Sequence, residues 1–294
     1  MAELSQQKTS TKNGKASTDF LVYGVLKLVR ILSLDVVLGA CISSWFVAHI
    51  CEATVELTTI LTLGVCVWLI YTADHLWDAY QLQHPAHTDR HSFHQRYFRS
   101  LSIIWLMVAM LSLFLLFGIP PVVLRGGLIL SVGVVLYFII NQFTKLDQAV
   151  PKEVLAALLY TLGIFLPVIV QADNISMLNY LVFGQFFGLA LANLTLISWY
   201  ESETDRLDGA SSLATQYGKP YTQFISKGCI LLCLALASGL LFNDSPVAQL
   251  TVIAMSITLG SIWMFPAWYA KNERYRWVAD GIFLLPALFY PLLA

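Results

Sequence analysis

The chain has 294 residues, of which 57% are hydrophobic and only 12% are charged. A soluble domain carries about 25% charged residues, so the composition excludes an ordinary soluble protein and favours one that lies in a membrane. The net charge of −1 gives no bulk attraction for nucleic acid, and we expect no nucleic-acid partner.

Apolar runs dominate the chain after a short polar start. Residues 1–18 are rich in Lys, Ser, Thr and Gln, which predicts a disordered cytoplasmic tail. Residues 19–294 are predicted to form a single transmembrane domain. A spanning helix needs about 20 mainly apolar residues, and nine such runs are centred near residues 40, 63, 109, 132, 162, 189, 233, 256 and 285. The predicted fold is an all-α bundle of nine transmembrane helices.

The basic residues predict the orientation of this bundle. With nine spans and the N-terminus inside, every Lys and Arg except Arg125 falls in an inner segment. Inner loops of membrane proteins carry this excess of positive charge. We therefore expect an N-in, C-out topology in a lipid bilayer, which is the cell inner membrane if the protein is bacterial.

Two aspartates lie where the second predicted span ends, in "YTADHLWDAYQ" (residues 71–81). Asp74 and Asp78 are four residues apart, a spacing that places both carboxylates on one face of a helix. Unpaired like charges there destabilise a helix, and one of them tends to take up a proton. A solvated helix end is the simple explanation. Ionisable groups at membrane depth are, however, also candidates for function.

Histidines follow these aspartates, and three interpretations of them stay open. Five of the six lie between residues 75 and 94: His75, His84, His87, His91 and His94. An amphipathic helix at the membrane interface explains them together with the neighbouring basic and aromatic residues. A lid that binds diphosphate through Arg90 and His91 is the second interpretation. The third is a transition-metal site, because a helix over 84–94, with Pro85 in its first turn, would place four imidazoles on one face.

A second acidic cluster lies where the sixth predicted span ends, in "WYESETDRLDG" (residues 199–209). Glu201 and Asp205 repeat the four-residue spacing of the first pair. Hard oxygen ligands favour Mg²⁺, which binds through one or two carboxylates together with substrate phosphates and waters. Two such pairs facing each other across a cavity would hold magnesium around a diphosphate. The predicted catalytic and metal-binding acids are Asp74, Asp78, Glu201 and Asp205, with Asp208 as a further metal ligand.

The second cluster resembles a known motif. "YESETDRLDGASSLATQYG" (residues 200–218) is similar to the DxxxD segment of the UbiA superfamily of intramembrane prenyltransferases, and Glu201 and Asp205 match its two acids. "NQFTKLDQAVPKEVLAALLYTLGIFLP" (residues 141–167) resembles that family's junction between its fourth and fifth helices. Lys145 there matches a basic residue that lies near the substrate diphosphate.

The chain also departs from this family's pattern. The family's first motif is NDxxDxxxD, and Ile70 and Tyr71 stand where its Asn and first Asp would be. Asn141 occupies the position of a family tyrosine. The basic positions that follow the first motif are displaced, and Arg90 is the nearest candidate. These departures weaken the expectation of ordinary aromatic prenylation.

The resemblance implies a function as well as a fold. It implies nine helices around a central cavity, with both motifs on the cytoplasmic side, and a Mg²⁺-dependent enzyme that transfers a prenyl group from an isoprenoid diphosphate to a lipophilic acceptor. Binding of the diphosphate is expected from Lys145, Arg90, Asn141 and His91. A terpene cyclase of the same family, a non-catalytic relative that binds an isoprenoid or pigment, and a transporter are the alternatives.

Overall fold

The computed structural model describes residues 24–82, 84–143, 151–172, 176–242 and 246–292. Within these ranges the protein is helical and contains no β-strand. The prediction of an all-α protein is therefore confirmed. The predicted tail, residues 1–18, lies outside the described residues.

The helices follow one another with short connections. A helical stretch over residues 24–31 comes before α1 (Leu34–Ile50), α2 (Leu57–Gln81), α3 (Asp89–Arg96), α4 (Phe98–Ser112), α5 (Pro121–Phe143), α6 (Lys152–Ile169) and α7 (Met177–Asp208). The chain continues through α8 (Leu213–Tyr217), α9 (Lys219–Gly239), α10 (Pro246–Met264), α11 (Pro266–Ala270), α12 (Arg274–Gly281) and α13 (Pro286–Phe289). A 3₁₀ segment, Leu113–Gly118, extends α4.

Seven helical segments of the described chain are long and apolar enough to cross a membrane, as expected of a multi-pass membrane protein. They are Leu57–Gln81, Phe98–Gly118, Pro121–Ile140, Lys152–Ile169, Met177–Asp208, Lys219–Gly239 and Pro246–Met264. Each matches one of the nine predicted spans, and the count of nine stays a prediction.

The other two predicted spans differ from these seven in length and regularity. The span near residue 40 corresponds to α1, which has 17 residues. The span near residue 285 corresponds to α12, α13 and two 3₁₀ turns, Ile282–Leu284 and Tyr290–Leu292. Pro286 and Pro291 lack a backbone N–H, so the regular hydrogen bonding of an α-helix is interrupted twice in this stretch.

The core of the bundle is built around α7. This helix packs against α6, α9 and α10, and its inner residues Phe186, Leu189 and Leu196 are fully buried. Helices in a bilayer associate through close packing and interhelical hydrogen bonds, because lipid is as apolar as their side chains. Accordingly, the Gln185 side-chain amide of α7 donates a hydrogen bond of 2.9 Å to the Gln249 side chain of α10.

Gly39 lies at a close contact between α1 and the segment that follows α12. A Cβ atom added at Gly39 would lie 2.9 Å from the Phe283 Cβ, an atom that cannot move without the backbone. We expect Gly39→Ala to lower the free energy of unfolding by about 1–3 kcal/mol, the usual cost of overpacking. Thermal denaturation of the purified protein in detergent measures the change.

Gly184 in α7 supplies the matched control, since a Cβ added there meets no atom of the described residues within 4 Å. Gly184→Ala should stabilise the helix by about 0.5–1 kcal/mol, because alanine loses less backbone entropy than glycine. Equal effects of the two substitutions would contradict the packing of α1 against Phe283.

Several elements meet at one end of the bundle. They are the C-terminal parts of α2 and α7, the start of α6 and of α12, and the short helix α3. α3 packs against α2 and is capped by Thr88, whose hydroxyl accepts a hydrogen bond of 3.2 Å from the His91 backbone N–H. This end of the bundle holds the predicted site.

Candidate functional site

The two acid-bearing helices share a cationic side chain. Asp74 and Asp78 lie in the last turns of α2, and Asp205 lies in the last turn of α7. Lys152, the first residue of α6, interacts electrostatically with all three carboxylates. α6 packs against both α2 and α7. The structure therefore places the first acidic pair and one member of the second within electrostatic range of one ammonium.

The carboxylates at this point also repel one another. The negative charges of Asp74 and Asp205 both act on Asp78. Asp205 is held in part by a hydrogen bond with Ser212, which lies just beyond the end of α7. Three carboxylates that act on one another repel unless cations offset their charge. Lys152 supplies one positive charge toward the three negative ones.

Glu201 differs from the other predicted acids because it has a strong partner. Its Oε1 atom accepts hydrogen bonds of 2.9 Å from the Tyr275 hydroxyl and 2.9 Å from Arg276 Nε. Arg276 Nη2 also donates to the same oxygen. The guanidinium is buried, and this ion pair joins α7 to α12. The charge of Glu201 is thus balanced within the protein, and its predicted role as a metal ligand stays a prediction.

Asp208 and Asp78 are connected through the histidine segment. The His87 Nδ1 atom lies 2.5 Å from Asp208 Oδ1. The His91 ring lies between the two acids, with Nε2 at 3.8 Å from Asp78 Oδ2 and Nδ1 at 3.9 Å from Asp208 Oδ2. The segment from residue 84 to α3 therefore covers the acids at the ends of α2 and α7.

The α3 histidines are neutral at pH 7. Burial, aided by the positive charges of Arg90 and Arg276, lowers the pKa of His91 to about 4. Burial also lowers the pKa of His94, whose ring lies 5.0 Å from that of His75 between ring centres. A neutral His91 adds no positive charge for a diphosphate, so in the lid interpretation it contributes hydrogen bonds only.

Arg90 supplies a second cation at this end of the bundle. Its guanidinium interacts electrostatically with Asp74 and Glu201. The Nε–H group is buried and has no hydrogen-bond partner among the described residues. Buried N–H donors are nearly always paired, so this unpaired one is a candidate donor to a ligand.

A small cavity lies one turn deeper, beside Tyr71. Tyr71, Tyr160, Asn193 and Asp280 contribute its polar lining, and its volume of about 20 Å³ is enough for one water. Asn193 donates a hydrogen bond of 3.1 Å to the Asp280 carboxylate. An acid from α12 is therefore present at the depth of Tyr71.

Two of the predicted diphosphate ligands cannot be placed. Lys145 lies outside the described residues, and so does the side chain of Asn141. The transition-metal interpretation required a helix over 84–94, whereas α3 begins at Asp89 in the structure. Pro85 precedes it in a non-helical segment, since a proline is tolerated only near the start of a helix.

Lys152 and Arg276 are site residues that the sequence reasoning missed. A signal for Lys152 was present, because a lysine directly after Pro151 marks the charged start of an apolar helix. Arg276 gave no comparable signal. It lies 75 positions from its partner Glu201, and only the packing of α12 against α7 brings them together.

Comparisons with known proteins found no relative of this chain among family models or curated proteins.

Proposed function

We propose that the chain is a Mg²⁺-dependent intramembrane prenyltransferase of the UbiA type, which ionises an isoprenoid diphosphate and transfers the prenyl group to a lipophilic acceptor. One observation carries the proposal: the Asp74, Asp78 and Asp205 carboxylates, from two different helices, all act electrostatically on Lys152 at the end of the bundle. The positive-inside distribution of Lys and Arg favours the cytoplasmic side for this end.

The donor set fits magnesium. Among the described residues, Asp74, Asp78 and Asp205 act on Lys152 together with Glu153, Arg90 acts on Asp74, and Glu201 is paired with Arg276. Acids therefore outnumber cations here, and all their ligand atoms are hard carboxylate oxygens. Divalent magnesium is typically held by such oxygens together with substrate phosphates and water. Asp74, Asp78 and Asp205 are the residues that would hold it.

Lys152 and Arg90 are suited to the diphosphate itself. Both are cations at the edge of an acidic cluster, and the buried Nε–H of Arg90 has no hydrogen-bond partner among the described residues. Arginine is well matched to phosphate oxygens, and lysine binds them as a point charge. In this proposal the two side chains orient the diphosphate while the prenyl tail extends between apolar helices.

The chemistry follows from charge stabilisation. The allylic C–O bond breaks, and its electron pair leaves with the diphosphate. Magnesium, when bound, would neutralise charge on this leaving group as a Lewis acid. Lys152 and Arg90 hold the remaining charge in place, and the surrounding apolar helices exclude the water that would capture the cation. A lipophilic acceptor, such as an aromatic ring, then supplies a π-electron pair for the new C–C bond and loses its ring proton, which the released diphosphate can accept.

A non-catalytic isoprenoid-binding protein is the second candidate, favoured by Ile70 and Tyr71, which provide no metal ligand in the first motif. One screen separates the two. Purified protein is incubated with C10, C15 and C20 prenyl diphosphates, with and without Mg²⁺, and released pyrophosphate is measured. An enzyme releases pyrophosphate only with Mg²⁺. Binding of a prenyl diphosphate without release in any condition would support the binder and refute the enzyme.

Lys152 gives a residue-level prediction. Replacing it with glutamine should weaken binding of Mg²⁺–pyrophosphate by about 10- to 100-fold, since a hydrogen bond to a charged group contributes about 1.5–3 kcal/mol. Isothermal titration of the purified protein measures the change. Lys27→Gln is the matched control, because within the described ranges Lys27 forms a surface ion pair of 2.5 Å with Asp89. Equal affinity of the Lys152→Gln variant and the unmodified protein would remove Lys152 from the diphosphate site.

A further inference from the structure

We propose that His75, Asp78 and His91 form a binding site for a divalent transition-metal ion, distinct in its ligand chemistry from the magnesium site. One ligand atom from each of the three side chains lies within 4.8 Å of the others. Two imidazoles and a carboxylate are a ligand set that Zn²⁺ and Fe²⁺ share. The inference does not depend on the prenyltransferase proposal.

The sequence places two of the ligands on one helix. His75 and Asp78 are three residues apart on α2, so their side chains lie on the same face. His91 comes from α3, and its Nε2 atom lies 3.8 Å from the Asp78 carboxylate. This separation exceeds a hydrogen bond and leaves the His91 imidazole close to the acid without bonding it.

An unsatisfied buried atom gives independent support. His75 is only 4% exposed. Its Nε2 atom lies 3.2 Å from the Ser33 hydroxyl, whereas its Nδ1 atom is buried with no hydrogen-bond partner among the described residues. Metal-binding histidines use one ring nitrogen for the ion and fix the other by a hydrogen bond to a neighbour. Ser33 is placed to fix the His75 ring in this way.

Both cationic and acidic side chains lie near the three proposed ligands. Arg90 and Arg276 act on both rings, and Lys152 acts on Asp78, so three cations disfavour a bound ion. Asp208 lies 3.9 Å from His91 Nδ1 and favours one, as do Glu201 near His91 and the Asp74 and Asp205 carboxylates near Asp78. With Asp78 itself a ligand, five acids face three cations. A divalent ion at the three ligands would therefore lower the electrostatic repulsion among the acids.

The histidine segment offers a second group of ligands at the surface. His84, His87 and Asp208 also have ligand atoms within 4.8 Å of one another, but both histidines are exposed. No unsatisfied buried atom of these three side chains supports a site there. A surface group of this kind is therefore the competing explanation that any test of the proposed site must separate.

Zinc binding tests the proposal. The full chain in detergent is freed of metal with a chelator and titrated with Zn²⁺ in the absence of Mg²⁺ and isoprenoid, because magnesium and zinc would both draw on Asp78. We expect one Zn²⁺ per chain. His75→Gln and His91→Gln should each weaken binding by about 100-fold or more, since even outer partners of a metal site are worth about 10- to 100-fold.

Two controls keep the test decisive. The double variant His84→Gln/His87→Gln should bind Zn²⁺ like the unmodified chain. So should His49→Gln, which lies in the last turn of α1, away from Ser33.

Co²⁺ gives a second readout, since imidazole ligands change its visible absorption, and that change should disappear in His91→Gln. Thermal denaturation of His91→Gln, whose side chain is 14% exposed in the unmodified chain, shows whether the variant is folded when its Zn²⁺ affinity is measured. No bound Zn²⁺, or loss of binding only in the His84/His87 variant, would overturn the proposal.

Discussion

Asp74→Asn and Asp205→Asn are each expected to reduce Mg²⁺-dependent pyrophosphate release by about 100- to 1,000-fold, while the protein stays folded in the membrane. Losses of this size follow removal of one group that stabilises charge on a leaving or developing anion. Asparagine keeps the shape of aspartate and removes its charge, so the change isolates the ionic role. Initial rates at saturating prenyl diphosphate, across a range of Mg²⁺ concentrations, measure the effect.

Glu203 on α7 is the matched control for these variants. Its side chain is 67% exposed, and it takes part only in surface ion pairs of 3.8 Å with Arg206 and Lys219. Glu203→Gln should therefore keep full activity. If Asp74→Asn and Asp205→Asn retained the activity of the Glu203→Gln variant, the magnesium assignment would be wrong for both helices.

Arg276→Gln is expected to destabilise the protein by about 3–5 kcal/mol. The substitution leaves the Glu201 carboxylate, with a side chain only 16% exposed, without its cation, and breaking one partner of a buried ion pair has this cost. Equilibrium unfolding in mixed micelles gives the free energy of unfolding. Arg206→Gln is the control, because the Arg206 side chain is 68% exposed and a surface ion pair contributes about 0–1 kcal/mol.

The double variant Arg276→Gln/Glu201→Gln separates pairing from metal binding. Two neutral side chains of similar shape leave no unpaired charge, so the double variant should recover most of the stability lost in Arg276→Gln. A role of Glu201 as a magnesium ligand would appear independently, as a loss of activity in Glu201→Gln. Simple addition of the two single effects on stability would contradict a direct Glu201–Arg276 interaction.

Local spacing predicted the helices that carry this candidate site. Apolar runs of spanning length located the helices, and the four-residue spacing of Asp74 and Asp78 placed both on one face of α2. These features depend on residues within a few turns of one another. The start of α3 was harder to predict. The spacing of the histidines is compatible with a helix from residue 84, whereas Thr88 caps a helix that begins at Asp89.

Contacts between distant helices were not predictable in the same way. Glu201 and Asp205 look equivalent in the sequence, yet α12 supplies an ion pair with Arg276 to the first, whereas the second has a hydrogen bond with Ser212 and the more distant charge of Lys152. Lys152 likewise gains its role from the packing of α6 between α2 and α7. A sequence records the charge of each side chain, whereas the partner of that charge depends on which helices pack together.

The proposed function requires the Asp74 and Asp205 carboxylates to act on one cation-bound diphosphate. A double-mutant cycle on the affinity for Mn²⁺–pyrophosphate, followed by the electron paramagnetic resonance of bound Mn²⁺, tests this directly. We predict strong coupling, so that Asp74→Asn/Asp205→Asn binds little more weakly than either single variant. Independent, additive losses in the double variant, or unchanged affinity in both single variants, would contradict a shared site.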